Sequence, residues 1–248
     1  MPFTVAHIAA VLPFKKRTPQ SFSFTGLIIG SMVPDFEYFA RMTLYGHYGH
    51  TFSGILIFDM PMGVLLYFLY HAVVRRQLIS HLPGHLYAKF SDDVDVDWKT
   101  YSRRHFLLIL LSLLTGIMTH LLWDGFTHDE EYVVARYIPL LLMDIHIAGF
   151  SFPLHSLLQG FSSIAGMVIL FFFIYRMPAG AGVQTLSRRE LLRFWLMISI
   201  FTVILDVVRW CLGVPNEKLV GQFIVIGMSA GMLSLILVCF YYSISKSP

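Results

Sequence analysis

Residues 105–128 read HFLLILLSLLTGIMTHLLWDGFTH. From Phe106 onward only small or hydroxylated residues interrupt the apolar run until His120. A helix crosses a bilayer with roughly 20 mostly apolar residues, so 105–123 is expected to span. At its far end His120 and Asp124 stand four residues apart. On a helix they share one face, with Cβ atoms about 5–6 Å apart, a spacing that suits two ligands of one metal ion. Gly125 and Thr127 are expected to end the helix, so that His128 can curl back toward the same centre. The plainer alternative is a His–Asp hydrogen bond that steadies a helix end. Ionisable groups beside membrane depth are costly and tend to mark function, which favours the ligand reading.

Four more segments are long and apolar enough to span: about 54–74, 154–176, 191–213 and 220–243. Composition agrees. The 248 residues are 56% hydrophobic and only 13% charged, with a mean hydropathy of +0.67; a soluble domain usually carries about 25% charged residues. The expected fold is all-α: a polytopic membrane helical bundle of about five transmembrane helices, forming one membrane domain over 1–248. A sixth helix would exist if 22–40 crossed, but its apolar run, Phe24 to Val33, stops at Pro34-Asp35. The polar stretch 75–104 reads as a cytoplasmic loop, without the glycine and closing glutamate of a calcium loop. Residues 191–243 read as a C-terminal two-helix hairpin.

With five spans, eleven Lys and Arg fall on the side of 75–104 and seven on the other. The richer side is expected to be cytoplasmic. Residues 47–53, 124–153 and 214–219 then face outward. If 22–40 spanned, the split would become fourteen to four. The start, Met1 to His7, lacks a basic region before an apolar stretch, so no cleavable signal peptide is expected. Net charge is +3 and dispersed, so no nucleic-acid partner is expected. Cys211 and Cys239 lie in apolar runs and read as small packing residues.

The eleven histidines are segregated. His47, His50, His120, His128, His146 and His155 fall at outer ends of spans or in outer loops, while His71, His81, His85 and His105 fall on the opposite side. Asp35, after Pro34, sits at a turn from which a carboxylate can point at a metal, or can simply cap a helix. His50 begins the 54–74 helix; His47 is a weaker candidate. His155 and Gln159 repeat the four-residue spacing with an amide in place of an acid. His146 and Asp144 suit a supporting role. Asp59, inside a span, needs a partner such as a ligand histidine, Arg41 or Arg136; Asp206 and Arg209 suit a local ion pair.

As a set, these residues are familiar. Pro2-Phe3-Thr4-Val5-Ala6-His7, Gly30 to Tyr38 around Pro34-Asp35, His50-Thr51, Phe58 to Gly63 and Thr119 to His128 resemble a bacterial membrane family classed as a domain of unknown function. The resemblance covers about residues 1–175. More remotely, the order of polar residues is similar to membrane-bound metal-dependent hydrolases, zinc-dependent phospholipases C and related zinc nucleases. That resemblance implies a ligand order of His7, Asp35, His50, His120, Asp124, His128 and His155. Gln159 stands where a last acid would be, so one or two zinc ions are implied rather than three. It also requires His7 on the outer side, which favours five spans.

The functional expectation is a zinc-dependent hydrolase in a bacterial cytoplasmic membrane, acting on a phosphoester of a membrane lipid headgroup at the outer face. Asp35, His50, His120 and Asp124 would hold one ion, with His7, His128 and His155 holding or supporting a second. Asp124 would bridge, and Asp35 or Glu37 would act as base. The alternative is a non-catalytic metal-binding or ion-translocating membrane protein, for which Asp59 and Asp206 would mark a polar path through the bilayer. A third reading leaves the histidines as helix-end partners in a structural protein.

Overall fold

The computed structural model describes residues 3–16, 22–128, 137–147, 149–215 and 217–245. Among the described residues the chain is all-α apart from one two-stranded hairpin. Its helices are α1 (Thr4–Lys15), α2 (Phe24–Gly30), α3 (Phe36–Arg41), α4 (Phe52–Ser80), α5 (Gly84–Phe90), α6 (Trp98–Arg104), α7 (Phe106–Thr127), α8 (Leu154–Arg176), α9 (Arg188–Cys211) and α10 (Leu219–Ser245). Five of them, α4, α7, α8, α9 and α10, are long and apolar enough to cross a membrane. Segment 22–40 is not a sixth. It breaks into α2, a tight turn at Val33–Asp35, and α3, because a proline at 34 disfavours helix at the residue before it and cannot donate to a helix ladder.

Two other segments differ from the sequence reading. Residues 75–104 are mostly helical: α4 runs on to Ser80, and α5 and α6 follow. Buried Arg75 organises the turn between those two helices by donating to the carbonyls of Val94 and Val96. In the expected outer loop, β1 (Asp144–Ile147) pairs antiparallel with β2 (Phe150–Pro153), with Asp144 opposite Pro153. Gly149 takes φ +83° at the turn, a conformation that favours glycine. His146 lies exposed on β1.

Backbone contacts divide the chain into two compact units. The first comprises Met1–Asp35, Tyr48–Val64 and His105–Arg176; the second comprises Phe36–His47, Leu65–Arg104 and Met177–Pro248. The second unit is built on α9 and α10. Its core holds Val74, Phe194, Ile198, Val238, Cys239 and Tyr242, and His81 stacks on Phe194 at 4.0 Å. A capping box, Ser187 with Glu190, starts α9. The expected Asp206–Arg209 ion pair is absent among the described residues: Arg209 instead donates to the carbonyls of Met42 and Gly213.

In the first unit α2 lies directly on α7. Leu27, Val33, Leu113 and Ile117 are fully buried there. The backbones touch because glycines face each other. A Cβ on Gly30 would stand 2.2 Å from the Leu113 carbonyl oxygen, and one on Gly116 would stand 2.4 Å from that of Leu27. The Ser112 hydroxyl accepts from the Ser23 N–H at 2.8 Å and so holds the start of α2. This close approach carries the turn at Val33–Asp35 to the C-terminal end of α7.

Candidate metal centre

Four side chains from three separate stretches meet in the first unit. His120 and Asp124 project from one face of α7, as their spacing requires, and both are fully buried. Asp35 arrives from the turn after α2 and is 1% exposed. His50 comes from the loop before α4. That loop crosses close over the Asp35 turn: a Cβ on Gly49 would lie 2.2 Å from the Pro34 carbonyl oxygen.

The donor atoms surround a common centre. His50 Nε2 lies 3.3 Å from Asp124 Oδ2, 3.5 Å from Asp35 Oδ1 and 3.4 Å from His120 Nε2. His120 Nε2 lies 3.3 Å from Asp124 Oδ2 and 3.8 Å from Asp35 Oδ1. Charge-assisted hydrogen bonds would be about 2.7–2.9 Å; these separations are longer. They fit a different geometry. Four ligands about 2.05 Å from a tetrahedral zinc ion stand about 3.3 Å from one another. The four residues form a group able to hold a metal ion.

The hydrogen bonding around the cluster points the same way. His120 Nδ1 donates to the Ser31 carbonyl at 2.8 Å. In the neutral ring this leaves Nε2 as a lone pair aimed at the centre, the orientation a metal ligand needs. Thr4 donates its hydroxyl to Asp35 Oδ2, leaving Oδ1 to face the centre. Neither oxygen of Asp124, nor Asp35 Oδ1, receives a hydrogen bond. Two adjacent buried carboxylates left so are costly, and a divalent cation neutralises both.

Burial and charge set the protonation of the groups outside the spans. Burial alone would hold the His50 imidazole neutral, but the Asp124 and Asp35 carboxylates outweigh it and push it up to about 9. Burial opposes ionisation of Asp35, yet His120 and His50 hold its carboxyl below the usual range. Burial pushes the His7 imidazole down to about 3, and the neighbouring His120 acts in the same sense.

His7 lies beside the cluster rather than within the four. Its ring stacks on His120 with centroids 3.8 Å apart, and its Nε2 stands 3.4 Å from Asp124 Oδ1. Asp124 therefore turns one oxygen to the four-residue centre and the other to His7. His128 begins where α7 ends, with Nδ1 3.1 Å from the Asp124 carbonyl oxygen and 3.8 Å from Asp124 Oδ2. Gln159 reaches His128 rather than the centre, at 3.4 Å between Nε2 atoms. His155 turns its Nδ1 to the Leu141 carbonyl at 3.2 Å. His47 contacts the Tyr45 hydroxyl. Glu37 belongs to the second unit, where it pairs with Arg41 at 3.0 Å and accepts from the His47 N–H. Asp59 is fully buried within a wide π turn of α4. Arg136, one of its expected partners, lies outside the described residues. Sequence reasoning missed the roles of Thr4 and Ser31, although both lie inside the quoted motifs at 2–7 and 30–38, because spacing alone assigns no partner to a hydroxyl or a carbonyl.

A family model for a domain of unknown function, DUF4184, matches residues 1–240. The chain belongs to this family. The match runs through the first unit's candidate ligands and on through α9 and most of α10, well past the motif-bearing part of the sequence. No curated protein and no solved structure matches the chain.

Proposed function

We propose that this membrane-type chain is a metal-dependent hydrolase, with zinc the ion best suited to two imidazoles and two carboxylates. The reading assigns it a phosphoester bond of a membrane lipid headgroup, cleaved at the outer face of a bacterial cytoplasmic membrane. One observation carries the proposal. Five donor separations of 3.3–3.8 Å describe a tetrahedral cage, while Asp124 offers its other oxygen to His7.

Four ligands close a tetrahedral ion, whereas a catalytic ion keeps one position open. The second oxygen of Asp124 resolves this. Asp124 would then serve a second position beside His7, with His128 close to its other oxygen. Ions held there supply Lewis acidity to a phosphoryl oxygen and make an attacking water acidic near neutral pH. Asp124 fixes the two positions relative to each other. Asp35, oriented by Thr4, and His120, oriented by Ser31, would hold the first ion. His7 stays neutral over the physiological range and so keeps its lone pair available. His50 and His128 are the members open to solvent, with side chains 11% and 16% exposed, and mark the route by which water and headgroup enter. In the reaction the water oxygen bonds to phosphorus, the phosphorus–alcohol bond breaks, and the proton shed by water ends on the departing alcohol.

The test joins two measurements on detergent-purified protein: metal per chain by elemental mass spectrometry, and hydrolysis of phospholipids and of a soluble phosphodiester. Two ions per chain with hydrolysis supports the proposal. No bound metal after zinc is supplied overturns it.

Asp59 favours a second reading, ion passage, because a buried carboxylate inside a spanning helix is costly and tends to mark a pathway. One ion per chain, no hydrolysis and zinc uptake into proteoliposomes that is lost in Asp59→Asn would establish that reading instead.

A further inference from the structure

Immediately beside His7 lies a cavity of about 350 Å³. Its walls come from α1, α7 and α8, and include Ala6, His7, Trp123, Phe161, Ala165 and Ile169. His7 and Ser162 are its only residues with polar side chains besides the indole of Trp123. The space exists because small side chains line it where two helices would otherwise interdigitate. Ala9 and Ala10 of α1 line it together with Ala165 and Gly166 of α8. The frame around it is firm: a Cβ on Gly166 would stand 2.7 Å from the Ala6 carbonyl oxygen, and the Phe3 N–H donates to Ser163 at 3.0 Å.

Two features identify the occupant. The cavity's rim is apolar and exposed, with Phe161 73% and Ile169 51% accessible on a helix long and apolar enough to lie against lipid. His7 is one of its lining residues, and its Nε2 stands 3.4 Å from Asp124 of the candidate metal cluster. One wall thus belongs to the reaction centre and the mouth opens to where acyl chains are. A polar or ionic ligand would find almost no partner along this surface.

We propose that the cavity holds an acyl chain of the lipid whose headgroup bond is cleaved, seating its phosphoester at the cluster. The substrate is then a chain-bearing membrane lipid taken from the bilayer, not a water-soluble phosphodiester. This rests on the hydrolase reading for the word substrate, but chain binding is measurable without turnover.

The experiment uses the full chain in vesicles of phosphatidylethanolamine and phosphatidylglycerol. These contain a trace of phosphatidylethanolamine with a diazirine at the end of one acyl chain. After photolysis, labelled residues are mapped by mass spectrometry. Labels should concentrate on 6–10 and 158–169. In Ala165→Phe and Ala10→Phe, which add a ring from opposite walls, those labels should fall by about fourfold for each methylene displaced, with metal content unchanged. Labels spread evenly over the exposed faces of α8, α9 and α10, or a concentration that both filled variants retain, would overturn the assignment. So would labelling by a diazirine fatty acid where the phospholipid fails, which would give the cavity to a free chain. Concentrated labels without hydrolysis would leave the chain site standing and bring down only the hydrolase reading. The wild-type pattern decides the matter even if a variant fails to fold.

Discussion

The Nδ1 of His120 lies 2.8 Å from the carbonyl oxygen of Ser31, eighty-nine residues earlier in the chain. That one bond ties the α7 ligand pair to the turn that carries Asp35. It also commits the imidazole to present Nε2 to the cluster. Placement of the candidate ligands and packing of α2 on α7 therefore depend on each other.

Removing either α7 ligand should empty the centre. His120→Ala and Asp124→Ala are expected to lose all bound metal, measured as ions per chain beside wild type. Because Asp124 faces both positions, its replacement should remove every ion. His7→Ala should lower two ions to one. An unchanged count in His7→Ala would rule out the bridging arrangement.

Thr4 acts on the metal only through Asp35, to which it donates its hydroxyl. Removing such a support typically costs ten- to a hundredfold in metal affinity. Thr4→Val should weaken zinc binding by about that factor in a competition titration, while Thr4→Ser restores it. Equal affinity in all three proteins would deny Thr4 this role.

Gly116 should tolerate no side chain. A Cβ there meets the backbone of Leu27 and Ser31 at 2.4 and 2.6 Å, and backbone cannot yield as a flexible side chain can. Overpacking usually costs about 1–3 kcal/mol, and Gly116→Ala should reach the top of that range and lose metal together with thermal stability. Gly227→Ala, where a Cβ meets nothing within 4 Å, is the control and should leave both unchanged.

In metal-free protein the His50 imidazole keeps its proton up to about pH 9. An unfolded histidine titrates near 6.5. The folded value is raised, so its contribution to stability is full below pH about 6.5 and is lost as pH climbs through about 9. His7 works in the opposite sense: its value is lowered to about 3, so stability falls as pH drops from about 6.5. Thermal unfolding in chelator should therefore decline on both sides of neutrality. Zinc must expel the His50 proton to bind, so its affinity should climb with pH toward 9. A pH-independent affinity would show that His50 is not a ligand.

Much of this was legible in the sequence. The five spans are read from apolar length, because bilayer thickness alone dictates how long such a helix must be. His120 and Asp124 share a face because helical periodicity places residues four apart together. The break at Pro34 follows from proline's missing donor. Other features were not legible. The helices within 75–104 are short and polar, and depend on contacts such as those of Arg75 rather than on periodicity. Glu37, four residues before Arg41, is held by that local partner and by the His47 N–H. The turns of His155 and Gln159 away from the four-residue centre depend on Leu141 and His128, which lie on other segments.

The sequence by itself therefore determined the five long apolar helices and the inventory of candidate ligand types, since each follows from spacing within one segment. Only the tertiary structure decided which ligands meet. Asp35 and His50 reach α7 because glycine contacts at 30, 49 and 116 bring backbones within touching distance. The stacking of His7 on His120 and the cavity beside it arise where α1 settles on α8. Such long-range approaches depend on a side chain being absent at one residue where the backbone of a distant one must pass, and no local pattern along one segment encodes that coincidence.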